Sequence, residues 1–191
     1  MVTVPPSVPP SVPPSVAVSV VGDDLPPSLM AAVRRLVWAA FGEDGFAEED
    51  WEHTYGGRRV LAMDGAVPVG HAAVVPRLLH VGGRPLRAGY VEGVATAPDR
   101  QGGGIGSLLM ATVADVVREG HDLGALSTGR PTFYGRLGWE RWAGATYVQD
   151  GDRLVRTPDE DDGVMVLRHG PSAGIDLAAD LTCEARSGDD W

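Results

Sequence analysis

Apolar positions along this chain change period several times, and the changes mark its elements. "VAVSVV", residues 16–21, is a short β-branched run that reads as a first strand. From Ser28, a residue suited to capping a helix, the residues Leu29, Val33, Leu36, Val37, Ala40 and Phe41 recur at helical spacing and predict a helix to about Phe41. The strongly acidic stretch "GEDGFAEEDWEHTYGG" follows, with a short helix expected after Ala47. The period then becomes that of strands in "RRVLAMD", "AVPVGHAAVVPRLLHV" and "RPLRAGYVEGVATA". Asp64-Gly65 and Gly82-Gly83 lie between them, and such pairs favour tight hairpin turns. The middle of the chain therefore reads as an antiparallel meander.

Helical spacing returns at Gly104. Ile105, Leu108, Leu109, Val113, Val116 and Val117 mark one face of a helix to about Glu119. "DLGALST" reads as a short buried strand, because Leu123, Ala125 and Leu126 carry no polar alternation. "RPTFYGRLGW" suggests a short helix ended by Gly138, and "ERWAGATYV" and "GVMVLRH" are late strands. The order predicts one α/β domain over residues 17–191: a single mixed, mostly antiparallel sheet flanked by helices. Residues 1–16 differ. "VPPSVPPSVPPSV" repeats a four-residue unit, and proline both fixes φ and removes amide donors. A disordered, polyproline-like tail is expected, with a docking motif for an aromatic-lined groove as the alternative.

Composition narrows the partners. The chain has 191 residues and is 43% hydrophobic, enough for one ordinary core. Its 26 acidic residues outnumber 16 basic ones, all arginine, for a net charge of −10. Nucleic acid and anionic membrane are therefore excluded as expected partners, and a cationic ligand is expected. Cys183 is the only cysteine, which rules out an internal disulfide and suits the cytoplasm. The five histidines fall outside metal-ligand spacing, so no metal is expected. No apolar run approaches the ~20 residues of a membrane span, and the N-terminus lacks the basic start and apolar block of a secretion signal.

The densest local signal is "APDRQGGGIGSLLM", residues 97–110. Glycines ahead of a helix let a ligand approach the backbone, and the first helical amides point outward with partial positive charge. Together they make a phosphate or pyrophosphate cradle; a turn that merely enters a helix is the plainer alternative. The nucleotide P-loop is excluded because the chain has no lysine, and the dinucleotide fingerprint because its glycine spacing and later acid are missing.

What the stretch does fit is Arg/Gln-x-x-Gly-x-Gly, as Gln101-Gly102-Gly103-Gly104-Ile105-Gly106, behind the strand "VEGVATAPD". This resembles the acetyl-CoA motif of the GCN5-related N-acetyltransferases (GNAT). The resemblance implies that fold. It implies that the amides of Gln101, Gly102, Gly103, Gly104, Ile105 and Gly106 hold the CoA pyrophosphate. It also implies that Val94, Ala95 and Thr96 meet the pantetheine arm. "DWEHT" (50–54), "GYVEGVA" (89–95), "LGALS" (123–127), "RTPD" (156–159) and "GDDW" (188–191) sharpen the likeness to one branch, the aminoglycoside 2′-N-acetyltransferases, across residues 25 to 191. A homodimer is implied as well.

Acetyl transfer to an amine requires a base for the ammonium and a proton donor for the departing thiolate. From the resemblance, Glu92 is the base, acting through ordered water. Strand alternation would set it on one face with Tyr90 and Val94, and partial burial would raise its pKa. The plainer alternative is a carboxylate paired with Arg87 or solvated. Tyr134 is the implied donor; the alternative is a core tyrosine. No covalent acyl-enzyme is expected, since Cys183 lies in no nucleophile motif.

The acids cluster at 43–52, 159–162 and 189–191. Each run could be a solvated face, but together they suit a polycation. The resemblance implies that Asp44, Asp50, Glu92, Gly93, Ser127, Glu160, Asp161 and Trp191 contact a small cationic aminoglycoside, with the acids of "DEDD" uncertain by one residue. The competing functions are a GNAT enzyme for another small amine or amino sugar, and a non-catalytic binder of drug or acyl-CoA.

Overall fold

The computed structural model describes residues 15–42 and 45–191, so most of the proline repeat and Asp44 lie outside the described residues. In chain order the elements are β1 (Val16–Val21), α1 (Pro27–Phe41), α2 (Glu48–Glu52), β2 (Arg58–Asp64), β3 (Val67–Val81), β4 (Arg84–Thr96), α3 (Ile105–Gly120), β5 (Leu123–Ser127), α4 (Pro131–Gly135), β6 (Glu140–Arg141), β7 (Thr146–Asp150), β8 (Arg153–Arg156), β9 (Val164–Arg168) and β10 (Leu181–Glu184).

The strands form one sheet. Its main path runs β6-β9-β5-β4-β3-β10-β7-β8, and β2 joins β1 to β3. Only the β4–β5 and β10–β7 pairs among these ladders are parallel, so the expected mixed, mostly antiparallel sheet is what forms. The long β3 organises it. One edge of β3 pairs with β4, and the other holds β2 along Val67–Val74 and then β10 at Leu79–Val81. The Asp64-Gly65 and Gly82-Gly83 turns work because Gly65, Gly82 and Gly83 all adopt positive φ.

Four boundaries differ from expectation. Helix α1 starts at Pro27, with Pro26 at its cap; Ser28 lies inside the first turn and makes no capping bond. Proline's fixed φ is already suited to a first helical turn, so a serine cap is not needed. "ERWAGATYV" splits into β6 and β7, which lie far apart in the sheet. The strands β8 and β10 carry little apolar alternation of their own ("RLVR" and "LTCE") and are specified by their neighbours.

Helix α3 covers one face of the sheet. Leu109, Val113 and Val117 are fully buried there against Val60, Ala62, Val74 and Val91. The opposite face is closed by α1 and α2, with Val33, Val37 and Trp51 over Leu61 and Ala95. Farther along the sheet, Trp142, Trp191 and Cys183 pack over Ala73, Tyr90, Leu123 and Ala125.

Candidate active site

Strands β4 and β5 pair only as far as Tyr90↔Ala125. Beyond that point they part, and a cleft of ≈ 1110 Å³ opens between them. The glycine loop and α4 enter it from one side, while α2 and the segment Arg186–Trp191 enter from the other.

The loop follows a 3-10 turn at Pro98–Arg100. Gly102 and Gly104 have φ of 76° and 85°, which a side chain would make costly. The first helical bond of α3 runs from Leu108 N–H to Gly104 C=O at 3.1 Å. The amides of Ile105, Gly106 and Ser107 precede that ladder and are free to face a ligand. Gly106 packs closely, since a Cβ there would lie 3.3 Å from the Phe133 ring and push it by a few tenths of an ångström.

Gly102, Gly104, Ile105, Gly106, Val94, Ala95 and Thr96 all line the cleft, as does Gln101. Ile105 contributes backbone only, because its side chain is buried in the core. Gln101 turns its side-chain amide back to the Thr96 carbonyl at 3.3 Å, so it also ties the loop to β4. Gly103 does not line the cleft; its Cβ position abuts the Arg100 carbonyl at 3.3 Å. Arg100, Arg130 and Arg136 line the cleft too. Composition alone did not single them out.

Glu92 reaches the cleft through a break in alternation. Between Glu92 and Ala95, β4 advances three residues while β3 advances two, from Ala73 to His71. The extra residue forms a bulge around Gly93, whose φ is +58°. The expectation that Glu92 shares a face with Tyr90 and Val94 is therefore half corrected. Tyr90 and Glu92 face Arg186, whereas Val94 packs with Val91 against the α3 cluster.

Glu92 pairs with Arg186 rather than Arg87, which is held by Asp122. Arg186 Nη1 donates to Glu92 Oε1 at 2.6 Å, and the two side chains are 17% and 14% exposed. Burial pushes the Glu92 carboxyl above its ordinary range; Arg186 and Arg77 oppose the shift and Asp189 adds to it. The two guanidinium groups lie over the Tyr90 ring, at 4.7 Å for Arg77 and 5.6 Å for Arg186.

Asp189 also helps raise the pKa of Glu160, which burial raises first. Ser127 Oγ donates to Glu160 Oε2 at 3.0 Å. Glu92 and Asp189 thus form an acidic end to the cleft, with Ser127 and Trp191 on its wall; Glu160 does not line it and is tied to it through Ser127. Asp50 lines the cleft from α2, where its carboxylate accepts from the Ala47 amide at 2.8 Å. Asp161 is not part of this group. It accepts from Thr146 and forms a bidentate pair with Arg156, away from the cleft. Of the two acids, Glu160 is bonded to the cleft residue Ser127, and Asp161 to Thr146 and Arg156 of β7 and β8.

Tyr134 lines the cleft from α4. Burial pushes its phenol up to about 12, against a hydrogen bond with Thr128 and the charge of Arg130. Its ring is held edge-on by Phe133 and Trp139, at centroid distances of 4.9 and 6.3 Å. Arg186 is a further cleft residue that sequence reasoning missed, since no local motif marks it; Asp189 stood in the acidic run 189–191 and in "GDDW" without being singled out.

Comparisons with known proteins bear on this geometry. A family model described as an acetyltransferase (GNAT) domain matches residues 24–142. An aminoglycoside 2′-N-acetyltransferase of Mycolicibacterium fortuitum is 40% identical over 173 residues, covering 88% of this chain and 88% of that protein. A GNAT family N-acetyltransferase of Escherichia coli, solved in complex with CoA, superposes with a TM-score of 0.64. It is 18% identical and covers 88% of this chain and 89% of its own, which speaks to the fold alone. A GCN5-related N-acetyltransferase of Kribbella flavida has a TM-score of 0.57 at 27% identity. That match covers 69% of this chain and 34% of that one, so this chain spans about a third of its length.

Proposed function

The chain belongs to the GNAT acetyltransferases, and from that premise we propose that it moves acetyl from acetyl-CoA to the 2′-amino group of an aminoglycoside. One observation carries the substrate class. The cleft that begins at the glycine loop is lined at its far end by the carboxylates of Glu92 and Asp189, with Asp50 of α2 also on its wall, a set suited to several ammonium groups. The likeness to the M. fortuitum protein over 88% of both chains supports the same assignment.

The residues present fit acetyl-CoA. The positive-φ glycines and the leading amides of α3 form a cradle for a diphosphate. The edge of β4 from Val94 to Thr96 is released by β5 and offers its backbone to an amide-bearing arm. Bound there, acetyl-CoA supplies the electrophilic acyl group and a thiol leaving group.

Glu92 takes the proton of the attacking amine through ordered water, and its raised pKa brings it closer to working pH than a free carboxylate. Arg186 holds Oε1 and leaves Oε2 for that proton. Tyr134 stays protonated throughout, since its phenol titrates at about 12. Against a thiol of ordinary acidity near ~8.5, complete proton transfer from such a phenol is uphill by roughly 5 kcal/mol. Tyr134 therefore acts as a hydrogen-bond donor that steadies the departing sulfur, which leaves as the thiolate and takes its proton from solvent. Cys183 takes no part: it is buried, and burial pushes its thiol up to about 11. The working assembly we assign is a cytoplasmic homodimer; light scattering at twice the chain's 20.1 kDa would agree with it.

The deciding assay measures thiol release with aminoglycosides that carry a 2′-amine or a 2′-hydroxyl. Turnover with the amines alone is expected, with acetyl located at the 2′ nitrogen by NMR. Release with both sets, or with neither, rejects the regiospecific assignment.

A further inference from the structure

Behind Gly93 lies a buried chain of polar groups that the transfer step does not use. The Gly93 carbonyl lies 2.7 Å from His71 Nδ1, and His71 Nε2 lies 3.1 Å from Arg59 Nη1. A guanidinium only donates, so Nε2 is the acceptor and the imidazole proton sits on Nδ1. His71 therefore donates to Gly93. Arg59 also donates to Thr54 Oγ1 and, through Nε, to Asp23 Oδ1, both at 2.9 Å. Its guanidinium stacks on Trp51 and Tyr55, at 5.0 and 4.6 Å from the ring centroids.

His71, Arg59 and Thr54 are wholly buried. Burying a charge and two polar groups is costly even when they are partnered, and apolar residues of similar shape would pack at lower cost. Such a network calls for a task. Its outlet is a single carbonyl, and that carbonyl belongs to the residue that makes the β4 bulge. The bulge decides that Glu92 faces Arg186 while Val94 faces α3. Gly93 is also closely confined from the same side, since a Cβ there would lie 3.1 Å from Thr54 and 3.3 Å from His71.

We propose that His71 is a positioning residue for acetyl transfer: its Nδ1–H pins the Gly93 carbonyl, and with it the bulge that aims Glu92 into the cleft. The proposal rests on Glu92 being the base of the proposed function. Arg59 and Asp23 are the second tier, since they fix the tautomer that makes His71 a donor on this side.

Two polar substitutions separate this role from a merely structural one. In His71→Asn the amide nitrogen takes the place of Nδ1, keeping the donor to Gly93 and losing the acceptor for Arg59. In His71→Gln the amide reaches the place of Nε2, keeping a partner for Arg59 and losing the donor to Gly93. Loss of the pin is expected to lower kcat of His71→Gln on the order of ten-fold or more, with KM for acetyl-CoA and aminoglycoside unchanged. His71→Asn is expected to keep kcat within about three-fold although its buried Arg59 makes it the less stable of the two. If kcat follows thermal stability instead, or if both variants fall equally or not at all, the proposal is wrong. Nitrogen NMR of the wild-type imidazole tests the geometry without any variant. A neutral ring protonated on Nδ1 at pH 7 is expected, and a ring protonated on Nε2 overturns the pin. A wild type with no turnover would reject the proposed reaction and leave the NMR result to judge His71.

Discussion

Arg186 and Glu92 stand 94 residues apart in the chain and meet inside the cleft at 2.6 Å. The pair places a guanidinium where the site's chemistry calls for a carboxylate of adjustable basicity. Burial drives Glu92 toward its neutral form, and Arg186 is the largest influence in the other direction.

Replacing Arg186 should therefore change the pH profile in a definite direction. In the wild type, kcat/KM is lost as pH falls through a Glu92 pKa that lies above the ordinary carboxylate value. In Arg186→Met the opposing charge is gone, burial acts with only Arg77 against it, and the acid limb moves to higher pH. Asp189 and the Tyr90 phenol also face Glu92; the substitution also removes the bond from Arg186 Nε to the Asp189 carbonyl at 2.6 Å. An unmoved limb would mean that Glu92 is not the group that titrates.

Tyr134→Phe keeps the ring packing on Phe133 and Trp139 and removes only the donor. Its kcat should fall by about 10²-fold, within the usual range for losing one hydrogen-bond donor to a developing charge, while its melting temperature changes little. Because the phenol titrates at about 12, the wild type should show no alkaline loss of activity from this residue below about pH 10. Near-normal kcat in Tyr134→Phe would return the residue to the core.

Gly104 tests the donor end. Its φ of 85° suits glycine, and alanine there should cost about 1 kcal/mol. Gly104→Ala should raise KM for acetyl-CoA more than KM for the aminoglycoside, because the distortion falls on the first amides of α3. Steady-state kinetics with each substrate varied in turn separates the two. An equal rise in both would detach the loop from cofactor binding.

At the acceptor end, the cleft carboxylates Asp50, Glu92 and Asp189 should make aminoglycoside KM rise with ionic strength, as several ion pairs are screened together. Asp189→Asn should flatten that dependence and raise KM, with KM for acetyl-CoA little changed. A KM that ignores salt between low and high ionic strength counts against a polycationic substrate.

His71 makes a separate prediction about stability. Burial lowers its pKa from 6.5 to about 4, helped by Arg59 and opposed by the bond to Gly93. The unfolded chain therefore binds a proton that the folded chain rejects, so stability rises with pH across that interval. The contribution is present above about pH 6.5 and is lost as pH falls toward 4. Urea denaturation at pH 7 and pH 5 should show a loss in wild type exceeding that in His71→Asn by roughly 2 kcal/mol. Parallel losses would show that His71 titrates normally.

Much of the architecture was legible because its signals are local. Helical spacing located α1 and α3, strand periodicity and glycine turns located the meander, and the run of glycines at 102–104 located the loop before α3. What was not legible depends on packing. "ERWAGATYV" is continuous in sequence, yet it divides between two distant parts of the sheet because β6 pairs with β9 and β7 with β8 and β10. Glu160 and Asp161 are adjacent acids of similar chemistry. Only the partners presented by Ser127 and by Arg156 tie one to a residue of the cleft wall and the other to the sheet edge.

By itself, the sequence determined the fold class and located the glycine loop ahead of α3, because periodicity and glycine backbone freedom act over a few residues; it was the resemblance to a known family that gave this loop a donor to hold. Tertiary structure decided the acceptor half. It gave Glu92 its face, by inserting one residue at Gly93, and its partner, by bringing Arg186 across from the far end of the chain. It also set the charge state of that carboxylate, through burial and the charges of Arg186, Arg77 and Asp189. A two-residue period cannot announce where it will be broken. Desolvation and ion pairing depend on which surfaces meet, and distance along the chain does not specify that.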